Sequence, residues 1–183
     1  MSNYVALLRG INSGANPMMK MERLREVFSG LGFTHVSTVI ASGNVLFDLP
    51  NGETMTDRVK LETRIEKAIL AQLGFQSSTI IRTREELQKL VDSAPFTHVE
   101  VSQKAKPHVT FMKDIAQKPS PALAASGEGY EILSYENGAI CFVIDLTLTG
   151  SPNVMTILEK AYGKAITTRT WGTVLKVLKK MHP

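Results

Sequence analysis

The sequence predicts an α+β protein made of two ferredoxin-like βαββαβ units, the products of an internal duplication, each with a trailing helix. Three observations predict it. Short apolar runs and amphipathic stretches follow the order strand, helix, strand, strand, helix, strand, and that order occurs twice. A tight-turn signal joins the second and third strands of each round: Ser42-Gly43 in the first, Asn137-Gly138 in the second. Local likenesses also pair the halves in the same order: YVALLRG from Tyr4 with HVTFMKD from His108, SGNVLF from Ser42 with NGAICF from Asn137, and IIRTREELQKLV from Ile80 with TTRTWGTVLKVL from Thr167. The second copy is progressively the shorter. The expected division is a first unit at 1–94, a linker at 95–106 and a second unit at 107–183.

Residues 4–8 are an apolar strand. Asn16-Pro17 marks a helix start, because Asn caps and Pro suits the first turn. Met18, Met21, Leu24, Phe28 and Leu31 then share a face, and Leu31-Gly32-Phe33 is a Schellman stop. Strands are expected at 36–41 and 44–49, and a second helix at 59–73 with the same Leu-Gly-Phe ending. A strand at 78–82 leads into Thr83-Arg84-Glu85-Glu86, a capping box that opens a short helix. The second round reads as a strand at 108–113, a weak helix at 120–126, strands at 131–135 and 139–146, a helix from Ser151-Pro152 to Tyr162, and a strand at 165–169. Thr170 caps the last helix.

Composition excludes several classes. With 43% hydrophobic and 21% charged residues the chain is of ordinary globular composition. No apolar run reaches the roughly 18 residues of a membrane span. The N-terminal stretch has no basic segment followed by a signal-type apolar core, so a cytoplasmic protein without a membrane partner is expected. One cysteine, Cys141, permits no internal disulfide; it sits mid-strand and reads as a small buried hydrophobe. His35, His98, His108 and His182 lack metal-ligand spacing, so no metal is expected, and nothing implies a cofactor. Glu62 and Glu66 are four apart beside Lys60, Arg64 and Lys67, the pattern of an exposed ion-paired helix face. A net charge of +4 permits nucleic acid or an acidic ligand without demanding either.

Topology gives the opening loop its interest. In such a sheet the first strand ends beside the second–third hairpin. Arg9, Gly10 and Asn12 should therefore meet Ser42, Gly43 and Asn44 at one edge, with the first helix pointing its N-terminus there. An arginine, side-chain amides and a helix dipole suit an anion. The same residues also suit an ordinary turn, and Arg9 could pair with Glu22 or Asp48. The Gly-Lys-Ser/Thr ending of a phosphate-binding P-loop is missing. Arg169 could face a ligand or satisfy a carbonyl. Trp171 begins a stripe with Val174, Leu175 and Leu178 that favours packing over stacking on a ligand, and Lys176, Lys179 and Lys180 lie on the polar side of that helix.

LLRGIN, the 16–21 helix entry, SGNVLF and TTRTWGTVLKVL together resemble the domain-of-unknown-function family 1697 over nearly the whole chain. The resemblance implies a bacterial α+β protein without an established activity. It marks Arg9, Gly10, Asn12, Ser42, Gly43, Asn44, Arg169, Trp171, Thr173 and Lys176 as signature positions and gives them no chemistry. The family opening has Val-Gly-Gly where this chain has Ser13-Gly14-Ala15, and two family Asn positions are Thr170 and Gly172 here. Three functions follow as expectations. The first is binding of a small anionic or nucleotide-like ligand at the Arg9/Asn44 edge. The second is a nucleic-acid-binding module, for which the third strands lack the aromatic and basic RNA-binding pattern. The third is a small phosphohydrolase, by analogy with acylphosphatases at the level of the fold alone. Whether the protein is an enzyme, and its oligomeric state, are not legible in these residues.

Overall fold

Glycine stops the first two helices as their sequences require. The computed structural model describes residues 3–12, 18–52, 54–99, 105–120, 126–127, 129–145, 147 and 154–181. Helix α1 (Met21–Gly30) ends at Leu31, and Gly32 follows at φ +83°. The Gly32 amide donates to Ser29 O at 2.9 Å and the Phe33 amide to Phe28 O at 3.3 Å, so the Schellman stop forms. Helix α2 (Arg58–Leu73) begins on Asp57, whose carboxylate accepts from the Lys60 amide, and ends at Gly74 with φ +64°.

The start of α1 corrects the sequence reading. Asn16-Pro17 lies outside the described residues, and the helix begins at Met21, with Met18 89% exposed. The cause is the Asn12 side chain. Its Oδ1 accepts from the Met19 amide and its Nδ2 donates to Met19 O, which ties up that backbone outside a helix, and Lys20 next to it is extended.

Four strands, β1 (Tyr4–Leu8), β2 (Thr34–Thr38), β3 (Asn44–Asp48) and β4 (Thr79–Thr83), form a sheet in the order β2-β3-β1-β4 with antiparallel neighbours throughout. The second sheet contains β5 (Ala105–Met112), β6 (Ser126–Gly127), β7 (Tyr130–Glu136), β8 (Ala139–Asp145) and β9 (Ile166–Thr170), in the order β6-β7-β8-β5-β9. Without the two-residue β6 its order is that of the first sheet. Helix α3 (Arg84–Asp92) follows β4, α4 (Val154–Tyr162) precedes β9, and α5 (Trp171–Lys180) follows it. The expected weak helix at 120–126 falls largely outside the described residues; Ser126 at its end belongs to β6. Residues 151–153 and 146, at the edges of two other expected elements, also lie outside them.

The duplication holds down to single hydrogen bonds. In the first sheet the Leu8 amide donates to Gly43 O at 2.8 Å and the Arg9 amide to Ser78 O at 2.9 Å. In the second, Met112 donates to Gly138 O at 2.8 Å and Lys113 to Ala165 O at 2.9 Å. Val5 stands opposite Arg82, and Val109 opposite Arg169. The three local likenesses align these partners, except Ser78 and Ala165, which stand at the same offset two residues before the third. Asn137 and Gly138 both have positive φ, as a two-residue hairpin turn of type I′ demands.

The chain divides into two compact units, Met1–Leu87 with Lys176–Pro183, and Gln88–Leu175. In the first, one face of the sheet buries Tyr4, Ala6, Leu8, Val45, Phe47 and Ile81 against Leu24, Phe28, Ile65 and Ile69 of the helices. Phe33 stacks on Phe47 at 4.7 Å between ring centroids. The end of α5 belongs to this unit: Lys180 Nζ donates to Thr38 O at 2.9 Å, so this lysine is engaged although it lies on the polar side of its helix. Arg84 Nε donates to Met181 O at 2.7 Å. In the second unit Met112, Ile140, Phe142, Ile144 and Ile166 pack with Val154 and Leu158 of α4. Val177 rather than Leu175 continues the buried stripe of α5, Leu175 being 40% exposed.

Candidate functional site

The opening loop is fixed from three sides. Beyond the two strand-end bonds, Ser77 Oγ donates to Arg9 O at 2.8 Å. Gly10 and Asn12 take φ of +75° and +51°, the left-handed region that glycine and asparagine tolerate best. Asn12 is the clamp. Besides its bonds to Met19, its Nδ2 donates to Ala41 O at 3.0 Å, which ties the loop to the β2–β3 turn. Gly43 sits against this loop. A Cβ there would meet Ile11 Cγ1 at 2.8 Å and Leu8 Cβ at 3.1 Å.

Asn44 is fully buried and works inward. Its Nδ2 donates to Val39 O and to Ser42 Oγ, both at 3.0 Å, closing the turn. Arg9, Gly10, Asn12, Ser42, Gly43 and Asn44 thus come together as the topology requires. Of the acids considered as partners for Arg9, Glu22 pairs with Arg25 at 2.9 Å and Asp48 with His35 at 2.9 Å.

Beside this loop lies a cleft of about 510 Å³. Gly10, Ile11 and Asn12 form one wall, Lys20 and Arg23 bring positive charge, and Leu73, Gly74 and Phe75 at the end of α2 supply an apolar wall. Among the described lining residues there is no carboxylate; Lys20 acts on Glu22, and Arg23 meets Glu26 at 3.4 Å along the exposed side of α1. Lys20 occupies the N-cap of α1, where no side chain caps the helix. Such a cleft offers a cationic end and an apolar body to a small ligand. Sequence reasoning did not single out Lys20 or Arg23, which belong to no motif and are not among the apolar face of Met18, Met21, Leu24, Phe28 and Leu31.

Arg169 and Trp171 belong to the second unit. Arg169 donates from Nη1 to Thr167 Oγ1 and Thr168 O, both at 2.8 Å, and desolvation pulls its guanidinium down to about 10. Trp171 lies edge-on to Phe96 at 5.0 Å, a packing contact. Thr173 donates its amide to Thr170 Oγ1 at 3.3 Å, so Thr170 caps α5 as expected. Cys141 is buried, and desolvation pushes its thiol up to about 11. Among the described residues no group of three His, Cys, Asp or Glu side chains is placed to hold a metal ion, and no helix is long and apolar enough to cross a membrane.

Glu62 and Glu66 correct the sequence reading more sharply. They do not lie on an exposed face, Glu66 being half-buried. Glu62 is fully buried and its Oε1 accepts from the Ile81 amide at 2.9 Å; Glu66 Oε1 accepts from the Thr79 amide at 2.8 Å. Glu86 Oε2 accepts from the Thr83 amide at 2.8 Å, while the Glu86 amide donates to Thr83 Oγ1, completing the capping box. Strand β4 lies at the edge of its sheet, and three carboxylates take its outward amides in turn. The spacing permits it: four residues of helix rise about 6 Å and two residues of strand about 6.8 Å.

The fold and the loop define an α+β protein with duplicated ferredoxin-like units. The chain belongs to a family described as a protein of unknown function (DUF1697), whose model matches residues 1–140. That match runs from the N-terminal part of the first unit to the start of β8; the Arg169–Trp171 stretch and the C-terminal part of the first unit lie beyond it. No curated protein matches the chain. Among solved structures, the chain resembles the conserved bacterial protein SP0830 from Streptococcus pneumoniae, with a TM-score of 0.65 and 17% identity over 99% of each chain. At that identity the likeness establishes the shared fold.

Proposed function

We propose that the protein binds a small anionic or nucleotide-like ligand at the edge formed by the β1–α1 loop and the Ser42-Gly43-Asn44 hairpin. One observation carries this reading: the cleft of about 510 Å³ beside Gly10 and Asn12 has Lys20 and Arg23 as its charged lining residues and an apolar wall opposite. Gly10 lets ligand approach the backbone closely. Asn12 holds the loop in shape, and the buried Asn44 and Gly43 support it from behind. The positive residues would neutralise the anionic group, and Leu73 and Phe75 would cover the ligand's apolar part.

The test is a thermal-shift panel of phosphate, nucleotides, acyl phosphates and short oligonucleotides. A ligand at about 100 times its Kd adds about 2.7 kcal/mol, which raises the midpoint of a chain this size by roughly 5–10 °C. The expected result is a response to one anionic class that disappears in a Lys20→Ala/Arg23→Ala double variant. A response to oligonucleotides alone, falling steeply with salt, would instead favour the nucleic-acid module. Turnover of acyl phosphates would favour the phosphohydrolase.

A further inference from the structure

Among the described residues the two sheets end in β2, β4, β6 and β9, and three of these edges are closed to a further strand. At β4 the carboxylates of Glu66, Glu62 and Glu86 take the outward amides of Thr79, Ile81 and Thr83. Strand β2 carries a bulge: its register on β3 shifts between Thr34 and Ser37, His35 takes φ +50° within it, and Lys180 Nζ occupies Thr38 O. Strand β6 is two residues long. Charged side chains, bulges and short edge strands are the means by which sheets keep further strands off.

The fourth edge, β9, lacks them. Arg169 stands opposite Val109 as Arg82 stands opposite Val5, so the amides of Ile166, Thr168 and Thr170 point outward as those of Thr79, Ile81 and Thr83 do. The helices of the second unit cannot close all three. Helix α4 holds one carboxylate, Glu159, and α5 holds none. Outward amides two residues apart are separated by about 6.8 Å, so one carboxylate serves one of them. In the aligned segments Thr173 stands where Glu86 does, and its hydroxyl meets Thr170 Oγ1 at 2.9 Å. Thr168 bonds through its hydroxyl and its carbonyl and Thr170 through its hydroxyl; among the described residues no side chain accepts from either amide. Ile81 is fully buried and Thr83 half-buried, whereas Thr168 is half-buried and Thr170 exposed.

Charge selects the partner. From Lys160 to Leu175, where the second unit ends, the chain holds Lys160, Lys164 and Arg169 and no acidic residue. Lys160 and Lys164 are exposed. A second copy of β9 would bring the same cations to the pairing, and like charges oppose it. We propose that the β9 edge takes up an extended acidic peptide as an added strand: peptide carbonyls accept from the Thr168 and Thr170 amides, and peptide carboxylates lie toward Lys160 and Lys164. This surface belongs to the second unit and does not rest on the cleft beside Gly10 and Asn12.

Amide NMR of the wild-type chain tests it, with an acetylated Thr-Glu-Val-Glu-Val-Glu peptide as probe and the same peptide with Lys in place of Glu as control. The expected result is shifts at Thr168 and Thr170, slowed deuterium exchange of both amides, and no response to the lysine peptide. Thr168→Pro deletes an outward amide from an edge strand, where proline is tolerated, and should weaken the apparent Kd about fivefold, the effect of one hydrogen bond. Thr168→Val, which loses the same hydroxyl but keeps the amide, should bind as the wild type does. Should the proline variant not fold, Lys160→Glu/Lys164→Glu leaves the strand untouched; it should weaken binding about fivefold, by less at high salt. Equal binding of the two peptides, shifts confined to other surfaces, or none with the acidic peptide in large excess overturns the proposal. Protection of the Thr168 and Thr170 amides that rises with protein concentration in the absence of peptide also overturns it, and makes a second copy the occupant.

Discussion

Glu62 and Ile81 are joined by a buried hydrogen bond, the carboxylate accepting from the amide at 2.9 Å across the interface between α2 and the edge of the sheet. With Glu66 and Glu86 it closes the outward face of β4, while Arg58 and Arg82 both donate to Ile81 O, at 3.1 and 2.8 Å. An edge strand with open amides is a template for aggregation, and here side chains occupy them. Glu62→Ala leaves a buried amide without its acceptor and a cavity beside it. The expected loss is about 2–4 kcal/mol in urea unfolding, against about 1 kcal/mol for the half-buried Glu66→Ala. Equal losses would show that the helix, not the strand edge, is what these residues serve.

Gly43 and Gly32 separate contact from conformation. Both have positive φ, but a Cβ on Gly43 strikes Ile11 and Leu8, whereas one on Gly32 meets nothing within 4 Å. Gly32→Ala should cost about 1 kcal/mol. Gly43→Ala should cost about 1–3 kcal/mol more, as overpacking does, and should broaden the NMR signals of the opening loop.

Asn12→Ala removes the clamp between the loop, Met19 and Ala41. Stability should fall by about 1–3 kcal/mol. Any anion that stabilises the wild type through the adjoining cleft should bind at least about tenfold more weakly, as when preorganisation is lost. Asn44→Ala should lose stability to a similar degree, because its amide closes the hairpin from a fully buried position.

His108 carries an acid sensitivity. Burial, with the nearby Lys106 charge adding to it, holds its imidazole below the ordinary 6.5, while the bond from Nδ1 to Lys106 O works the other way. The unfolded state therefore binds more protons in the window between the folded value and 6.5. Stability from this group is full above 6.5 and is lost as pH falls through that window. Urea midpoints of wild type and His108→Gln, measured across that range, should show the wild type losing stability relative to the variant as pH falls.

Much of the fold was legible because its signals are local. Leu31-Gly32-Phe33, Leu73-Gly74-Phe75, Asn137-Gly138 and the Thr83/Glu86 capping box each specify their own geometry, and each formed. The duplication was legible through short likenesses whose aligned residues make equivalent hydrogen bonds. What escaped depends on partners far along the chain. Glu62 and Glu66 carry the pattern of a solvated helix face, and only the unmet amides of β4 draw them inward. Asn12 displaces the start of α1 through a bond to Met19 that no capping rule anticipates. His35 and Asp48 meet because a bulge, invisible in the alternation of residues, turns one strand position toward another. At the candidate site the converging residues were foreseen, but the cationic pair Lys20 and Arg23 was not.

The most direct test of the central claim is to map where an anion binds. Backbone amide resonances of the wild type would be followed during titration with pyrophosphate and with a nucleotide. The account predicts shifts concentrated at Gly10, Ile11, Asn12, Met19, Lys20, Arg23 and Gly74, saturating together and abolished in Lys20→Ala/Arg23→Ala. Shifts confined to other surfaces, or none in this group at saturating ligand, would contradict it and leave the opening loop as a structural turn.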